Sequence, residues 1–197
     1  MHGVTAADYG DIMIDLETTG TIPGRHGLLQ IAAVRFDLLR GWIDGNVFQA
    51  CLTMPKHLHW DEGTRHWWLH EDRRGLLAEL MAQQEDWKEV MERFHTWVGN
   101  GKPAFWSKPL SFDFTFLSSY FHDAGLANPF HYRQANDLNS FIRARYWPQA
   151  PALNEYNIGE TGQVHNAIDD CFHQIKLLMK VMEDTQASPL GGSNDHV

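Results

Sequence analysis

Cysteine is nearly absent: Cys51 and Cys171 are the only two in 197 residues. Two thiols are too few for a disulfide framework or a cysteine-based zinc site, and they point to a reducing compartment. The opening residues MHGVTAADYGD hold neither a basic n-region nor an apolar h-region, so no signal peptide is read there. No apolar run approaches the ~20 residues of a membrane helix. The expectation is a soluble, cytoplasmic protein with no membrane partner. Positive charge is also scarce. Sixteen Lys and Arg stand against 25 Asp and Glu, for a formal net charge of −9. Proteins that coat duplex DNA neutralise phosphates with basic side chains, so the balance argues against that role. It leaves room for an enzyme of nucleic acids, because bound divalent cations bring charge that a formal count omits.

Aromatic residues are plentiful, with eight Trp and eleven Phe, and the apolar fraction is 43%. The length suits one domain with a sizeable core. No internal repeat and no linker divides the chain. Residues 1–9 read as a polar lead-in, 10–184 as the domain, and 185–197 as a flexible polar tail.

Strand character begins at Asp11. In DIMIDLE, Ile12, Ile14 and Leu16 share one face, and Asp11, Met13, Asp15 and Glu17 share the other. Residues 28–38 and 46–54 read as further strands, so the first three form an antiparallel meander. Helices are expected over 61–70, 72–81 and 84–99, the last ending at Gly99. Residues 103–106 suit a short buried strand. The segment 110–125 reads as a helix with Leu110, Phe114, Leu117 and Phe121 on one stripe. Residues 130–135 read as a strand, Asp137 as the cap of a helix to about Tyr146, Pro148 to Pro151 as a loop, and 166–183 as a final helix. Early strands followed by helices interleaved with short strands predict one α/β domain with a mixed sheet.

Three features carry chemistry. Asp15 and Glu17 lie one residue apart within an apolar run, about 6–7 Å apart on one strand face. Taken alone, D-x-E reads as the solvated face of an edge strand. Asp113 sits in the nearly apolar LSFDFTFL, where an unpaired carboxylate would be desolvated and its pKa raised. Taken alone, it reads as a helix cap. His165 opens HNAIDD, where a His before an acidic helix start suits a general base beside a cation-held water. Taken alone, it reads as a loop His followed by acids that the helix dipole favours.

Together, D-x-E, F-D and H-x-A-x-x-D, with DLETTG and HNAIDD, resemble the DEDDh 3′–5′ exonucleases, the DnaQ-like branch of the RNase H-like fold. The stretch Thr64-Arg65-His66-Trp67-Trp68, followed by Arg73-Arg74, is similar to the T-x-x-W-W pattern of the ribonuclease AS-like and phage-type exonucleases. The resemblance implies an RNase H-like mixed sheet flanked by helices. It implies that Asp15, Glu17, Asp113 and Asp170 hold two divalent cations, Mg²⁺ or Mn²⁺, and that His165 is the general base. Asp169, one position before Asp170, is expected to be exposed or to support the site. The substrate implied is the 3′ end of single-stranded RNA or DNA, cut stepwise to nucleoside 5′-monophosphates. The ribonuclease AS-like pattern favours RNA, and the phage-type pattern favours DNA.

Leu16, Thr18 and Thr19 are, by the same resemblance, expected to meet the terminal nucleotide through their backbone. Trp67, Trp68, Phe114 and Trp106 are candidates for base stacking. Adjacent Trp67 and Trp68 lie about 100° apart on a helix, so one can be buried while the other is free. The histidines at 57, 59, 66 and 70 lack a metal-ligand spacing and read as surface or packing residues. Several relatives are homodimers, which makes the Trp-rich 60–68 stretch a candidate interface. Two other readings compete: a nucleic-acid-binding or scaffold module of the same fold that has lost its chemistry, and an internal nuclease. The filled set of five catalytic positions argues against the first. His165 and its spacing to Asp170 argue against the second.

Overall fold

The computed structural model describes residues 10–146 and 166–187. The chain opens with β1 (Asp11–Thr18), β2 (Leu28–Asp37), the short β3 (Trp42–Ile43) and β4 (Phe48–Leu52). Helices α1 (Glu62–Trp68) and α2 (Arg74–Ala82) follow, then β5 (Gln84–Glu85) and α3 (Trp87–Val98). The rest comprises β6 (Ala104–Ser107), α4 (Leu110–Ala124), a 3₁₀ turn (Tyr132–Gln134), β7 (Ala135–Asp137), α5 (Leu138–Tyr146) and α6 (Ala167–Ala187). The seven strands make one sheet in the order β5-β4-β2-β1-β6-β7, with β3 beside β2. β1, β2 and β4 form the expected antiparallel meander, whereas β6 joins β1, β7 joins β6 and β5 joins β4 in parallel.

β1 is therefore central, and the edge-strand reading of Asp15 and Glu17 is excluded. Its two faces pack on different layers. Ile12, Ile14 and Leu16 join Val90 and Phe94 of α3 and Phe116 and Tyr120 of α4. Met13 joins Leu138 and Ile142 of α5 and Cys171, Ile175 and Leu178 of α6. A smaller cluster seats Trp68, Leu76, Leu77 and Leu80 of α1 and α2 against Leu29 and Cys51. Full burial of each such side chain stabilises by about 1.5–3 kcal/mol relative to exposure.

Local signals set the boundaries. Asp61 caps α1 by accepting from the Thr64 N–H at 2.8 Å, and Gly99 ends α3 at a φ of 73°. Asp137 caps α5, accepting from the Ser140 N–H at 2.6 Å. Its second oxygen accepts from the Leu110 N–H at 2.8 Å, so one carboxylate ties the starts of α4 and α5 together.

Five expectations are corrected. The helix expected over 84–99 opens as the strand β5 at Gln84–Glu85, and α3 starts only at Trp87, after the Asp86 cap. The 28–38 and 46–54 strands shorten to Leu28–Asp37 and Phe48–Leu52. The 130–135 strand is a 3₁₀ turn over Tyr132–Gln134, capped by the His131 ring, and strand pairing begins only at Ala135. The buried stripe of α4 is Asp113, Phe116, Leu117, Tyr120 and Phe121, while Leu110 and Phe114 are only half-buried. Tyr120 anchors that face: its hydroxyl accepts from the Leu28 N–H of β2 at 2.7 Å. Lastly, α6 continues to Ala187, past the expected start of the tail. The Pro148–Pro151 loop, the lead-in and residues 188–197 lie outside the described residues.

Candidate active site

The meander places Asp15 and Glu17 near the end of β1, and α6 lies across that end. Two buried amides fix α6 there. The Gln30 side-chain oxygen on β2 accepts from the Ala167 N–H at 3.2 Å, which holds the helix start. One turn beyond Asp170, Gln174 Nε2 donates to Asp15 Oδ1 at 2.8 Å. Asp170 lies between these two tethers, in the first turn of α6, where the helix dipole favours an acid. One carboxylate oxygen from each of Asp15, Glu17 and Asp170 lies within 4.8 Å of the others. Asp113 enters from the first turn of α4 and is 3% exposed. The Leu16 backbone N–H of β1 helps to hold its carboxylate.

Crowding shows in the acidities. Burial, and then the charge of Asp170, push Asp15 up to about 8, against the pull of Gln174 and Lys108. Burial raises Glu17 well above the usual carboxylate range, and the charges of Asp15, Asp170 and Asp113 add to it. Burial and the charge of Asp15 do the same to Asp113. Four acids with one nearby cation, Lys108, leave negative charge uncompensated. Oxygen-only donors at this spacing fit a hard divalent cation. Asp15, Glu17 and Asp170 form the one such cluster among the described residues. Three of the histidines weighed from the sequence pair with surface acids: His57 with Asp123 at 3.0 Å, His66 with Glu62 at 3.1 Å and His70 with Asp72 at 3.1 Å. His165 lies outside the described residues.

Several expected substrate contacts have other work. Thr19 is wholly buried; its N–H donates to the Gly27 oxygen and its oxygen accepts from the Asp61 N–H. Its hydroxyl accepts from the Gly27 N–H at 2.7 Å, so its polar groups are engaged within the loop. The Thr18 hydroxyl donates to the Gly20 oxygen at 2.8 Å, and the Thr18 carbonyl accepts from Trp68 Nε1 at 3.0 Å. Leu16 is buried, with its N–H directed to Asp113. Gly20 is required here, because a Cβ would stand 2.2 Å from the His26 ring. The TTG stretch thus shapes the loop after β1. Trp68 is 1% exposed and cannot stack on a base. Trp106 is also buried, and its Nε1 donates to Asp11 Oδ1 at 2.8 Å. Trp67 and Phe114 remain accessible. Trp67 is 38% exposed, with the Arg73 guanidinium 4.2 Å from its ring centre.

Sequence reasoning missed Gln30 and Gln174. For Gln174 a signal existed: it is four residues after Asp170 and so shares its helix face. Gln30 had none, because its partner lies far along the chain.

A mixed sheet opened by an antiparallel meander and flanked by helices, with a carboxylate cluster at the end of its central strand, is an RNase H-like α/β fold. The chain belongs to the 3′–5′ exoribonuclease Rv2179c-like domain family, whose model matches residues 10–182. Among solved structures, zinc-bound E. coli exonuclease I in complex with single-stranded DNA aligns with a TM-score of 0.70 at 18% identity, over 91% of this chain and 41% of that one. E. coli exonuclease I with a dT13 oligonucleotide gives a TM-score of 0.70 at 18% identity, over 90% and 42%. Cell-death related nuclease 4 gives 0.68 at 17% identity, over 88% and 64%. This chain thus spans about two fifths of the exonuclease I chain, and the likeness is one of fold. No curated protein sequence matches it. Among the described residues, no helix is long and apolar enough to cross a membrane.

Proposed function

We propose that the chain is a divalent-cation-dependent 3′–5′ exonuclease that releases nucleoside 5′-monophosphates from the 3′ ends of single-stranded nucleic acid. The observation that carries this reading is the convergence of Asp15, Glu17 and Asp170 oxygens within 4.8 Å, on a central strand and a helix start. The family description favours RNA as substrate. The catalytic domain is taken as residues 10–184, in a cytoplasmic protein.

Asp15, Glu17, Asp113 and Asp170 would hold Mg²⁺ or Mn²⁺, two ions per site. When bound, the cations neutralise the scissile phosphate and acidify a water. The remaining work falls to the chain itself. Gln174 orients Asp15, and Gln30 sets the height of α6 and hence of Asp170. His165, just before that helix, takes the proton of the attacking water. Lys108, near Asp15, meets the phosphate of the incoming strand. Trp67 and Phe114 offer aromatic faces to bases. With a net charge of −9, binding to long strands is weak and distributive. A homodimer through the end of α1, where Leu69 is 50% exposed, belongs to the same reading.

The test uses matched 5′-labelled RNA and DNA with Mg²⁺, Mn²⁺ or EDTA. A cation-dependent ladder shortening from the 3′ end is expected, faster on RNA. An Asp15→Ala protein that digests as fast as wild type would overturn the reading. Internal cuts without a ladder would replace it with an internal nuclease.

A further inference from the structure

A cleft of about 580 Å³ opens beside the acidic site, between α4, β7 and α5. Its walls include Ser111, Phe114 and Thr115 of α4, Tyr132 and Arg143. At about 100° per residue, Phe114 is one step around α4 from Asp113, while Ser111 and Thr115 lie about 160° from it. Phe114 thus stands between Asp113 and the cleft. Pro109 of the cleft wall follows Lys108, whose charge acts on Asp15, so the chain joins the cleft to the acids at both residues.

The chemistry of the walls is mixed in a useful way. Phe114 is half-buried, with the edge of its ring system braced against Phe105 at a centroid distance of 5.2 Å. Tyr132 stands 65% exposed; its ring stacks on His131 at 4.7 Å, with the Arg133 guanidinium 5.6 Å from its centre, and much of it still faces solvent. Arg143 lies at the rim, exposed. Asp137, the acid in the wall, accepts from the Leu110 and Ser140 N–H groups and lies within reach of the Arg143 charge, which an incoming phosphate would share with it. Aromatic faces accept any base by stacking, and a guanidinium fits a phosphate.

We propose that this cleft is a subsite for an upstream nucleotide of the single strand: its base stacks on Tyr132 and Phe114, and its phosphate pairs with Arg143. The proposal rests on the exonuclease reading above. It makes the protein an enzyme of short oligonucleotides rather than of dinucleotides, because the grip on the strand lies beyond the terminal nucleotide.

The test compares two substrates. A uridine 5′-p-nitrophenyl phosphate ester fills the terminal position alone, and an RNA hexanucleotide also reaches the cleft. The readout is the ratio of kcat/KM for the hexanucleotide to kcat/KM for the ester. Tyr132→Ala and Arg143→Ala, both at exposed positions, should each lower that ratio about tenfold, mainly through KM. Tyr132→Phe should restore the stacking and the ratio. An unchanged ratio in both alanine variants, or a Tyr132→Phe protein as impaired as Tyr132→Ala, overturns the subsite. If wild-type protein cleaves neither substrate, the exonuclease reading itself fails and takes the subsite with it. Cleavage of both with an unchanged ratio removes the subsite alone.

Discussion

Gln174 Nε2 donates to Asp15 Oδ1 at 2.8 Å, and the amide is 6% exposed. The bond joins the helix that carries Asp170 to the strand that carries Asp15 and Glu17. It leaves the second Asp15 oxygen for a cation. A hydrogen bond to a charged group is worth about 1.5–3 kcal/mol. Gln174→Ala should therefore lower kcat/KM by roughly ten- to a hundredfold and weaken the Mg²⁺-induced rise in melting temperature. Gln174→Glu adds a fifth acid and should be the more damaging of the two. Equal Mg²⁺ titration curves for wild type and Gln174→Ala would show that the amide has no positioning role.

The crowded acids set a pH dependence in cation-free protein. Asp15 is raised to about 8 when folded, and Glu17 and Asp113 are raised as well. A carboxyl raised in the folded state keeps its proton where the unfolded chain has lost its own. Unfolding then gains from rising pH, beginning near the ordinary carboxylate value of about 4. The loss of stability is complete above the folded value, near 8 for Asp15. In EDTA the melting temperature should fall steadily from about pH 5 to about pH 8. Added Mg²⁺ should raise it more at the upper end than at the lower. A flat EDTA profile across that window would contradict the raised acidities.

The same crowding separates stability from activity. Asp170→Asn removes a charge that pushes up both Asp15 and Glu17. In EDTA at neutral pH that variant should melt higher than wild type. Activity should drop by at least about a thousandfold, because a cation ligand is lost. The Mg²⁺-induced rise should also shrink. Functional sites commonly trade stability for chemistry in this way. A variant that melts lower than wild type in EDTA would mean that Asp170 is structurally favourable where it stands.

Much of the frame is legible in the sequence, for physical reasons. The two-residue period of DIMIDLE and the Gly99 and Asp137 signals act locally, so β1, the end of α3 and the start of α5 appear where expected. β3 and β5 are two residues each, too short to carry any period. The stripe of α4 is misplaced because LSFDFTFL is apolar around most of its circumference. The inward face is the one whose Phe116, Leu117, Tyr120 and Phe121 pack in the core, and it buries Asp113 with them. Thr18 and Thr19 also close the loop on Gly20, Gly27, Asp61 and Trp68, a structural role that the sequence does not announce. All of these partners but Gly20 lie far enough along the chain that spacing gives no hint of them.

Adjacent tryptophans supply a sharp contrast. Trp68 is 1% exposed and its Nε1 donates to the Thr18 carbonyl at 3.0 Å. Trp68→Phe removes that donor and leaves a buried carbonyl without it, at a cost of about 1–3 kcal/mol. In a chain of this length the melting temperature should fall by roughly 2–12 °C. Trp67, one position earlier, is 38% exposed and presses edge-on against Trp68 with a centroid distance of 5.1 Å. Trp67→Ala should shift the melting temperature far less and raise KM for a single strand by about five- to a hundredfold, the loss of one stacking face. The pair of measurements, thermal melting and KM, should therefore rank the two variants in opposite orders. If Trp67→Ala lowers stability as much as Trp68→Phe and leaves KM alone, Trp67 is a packing residue and the base must stack elsewhere.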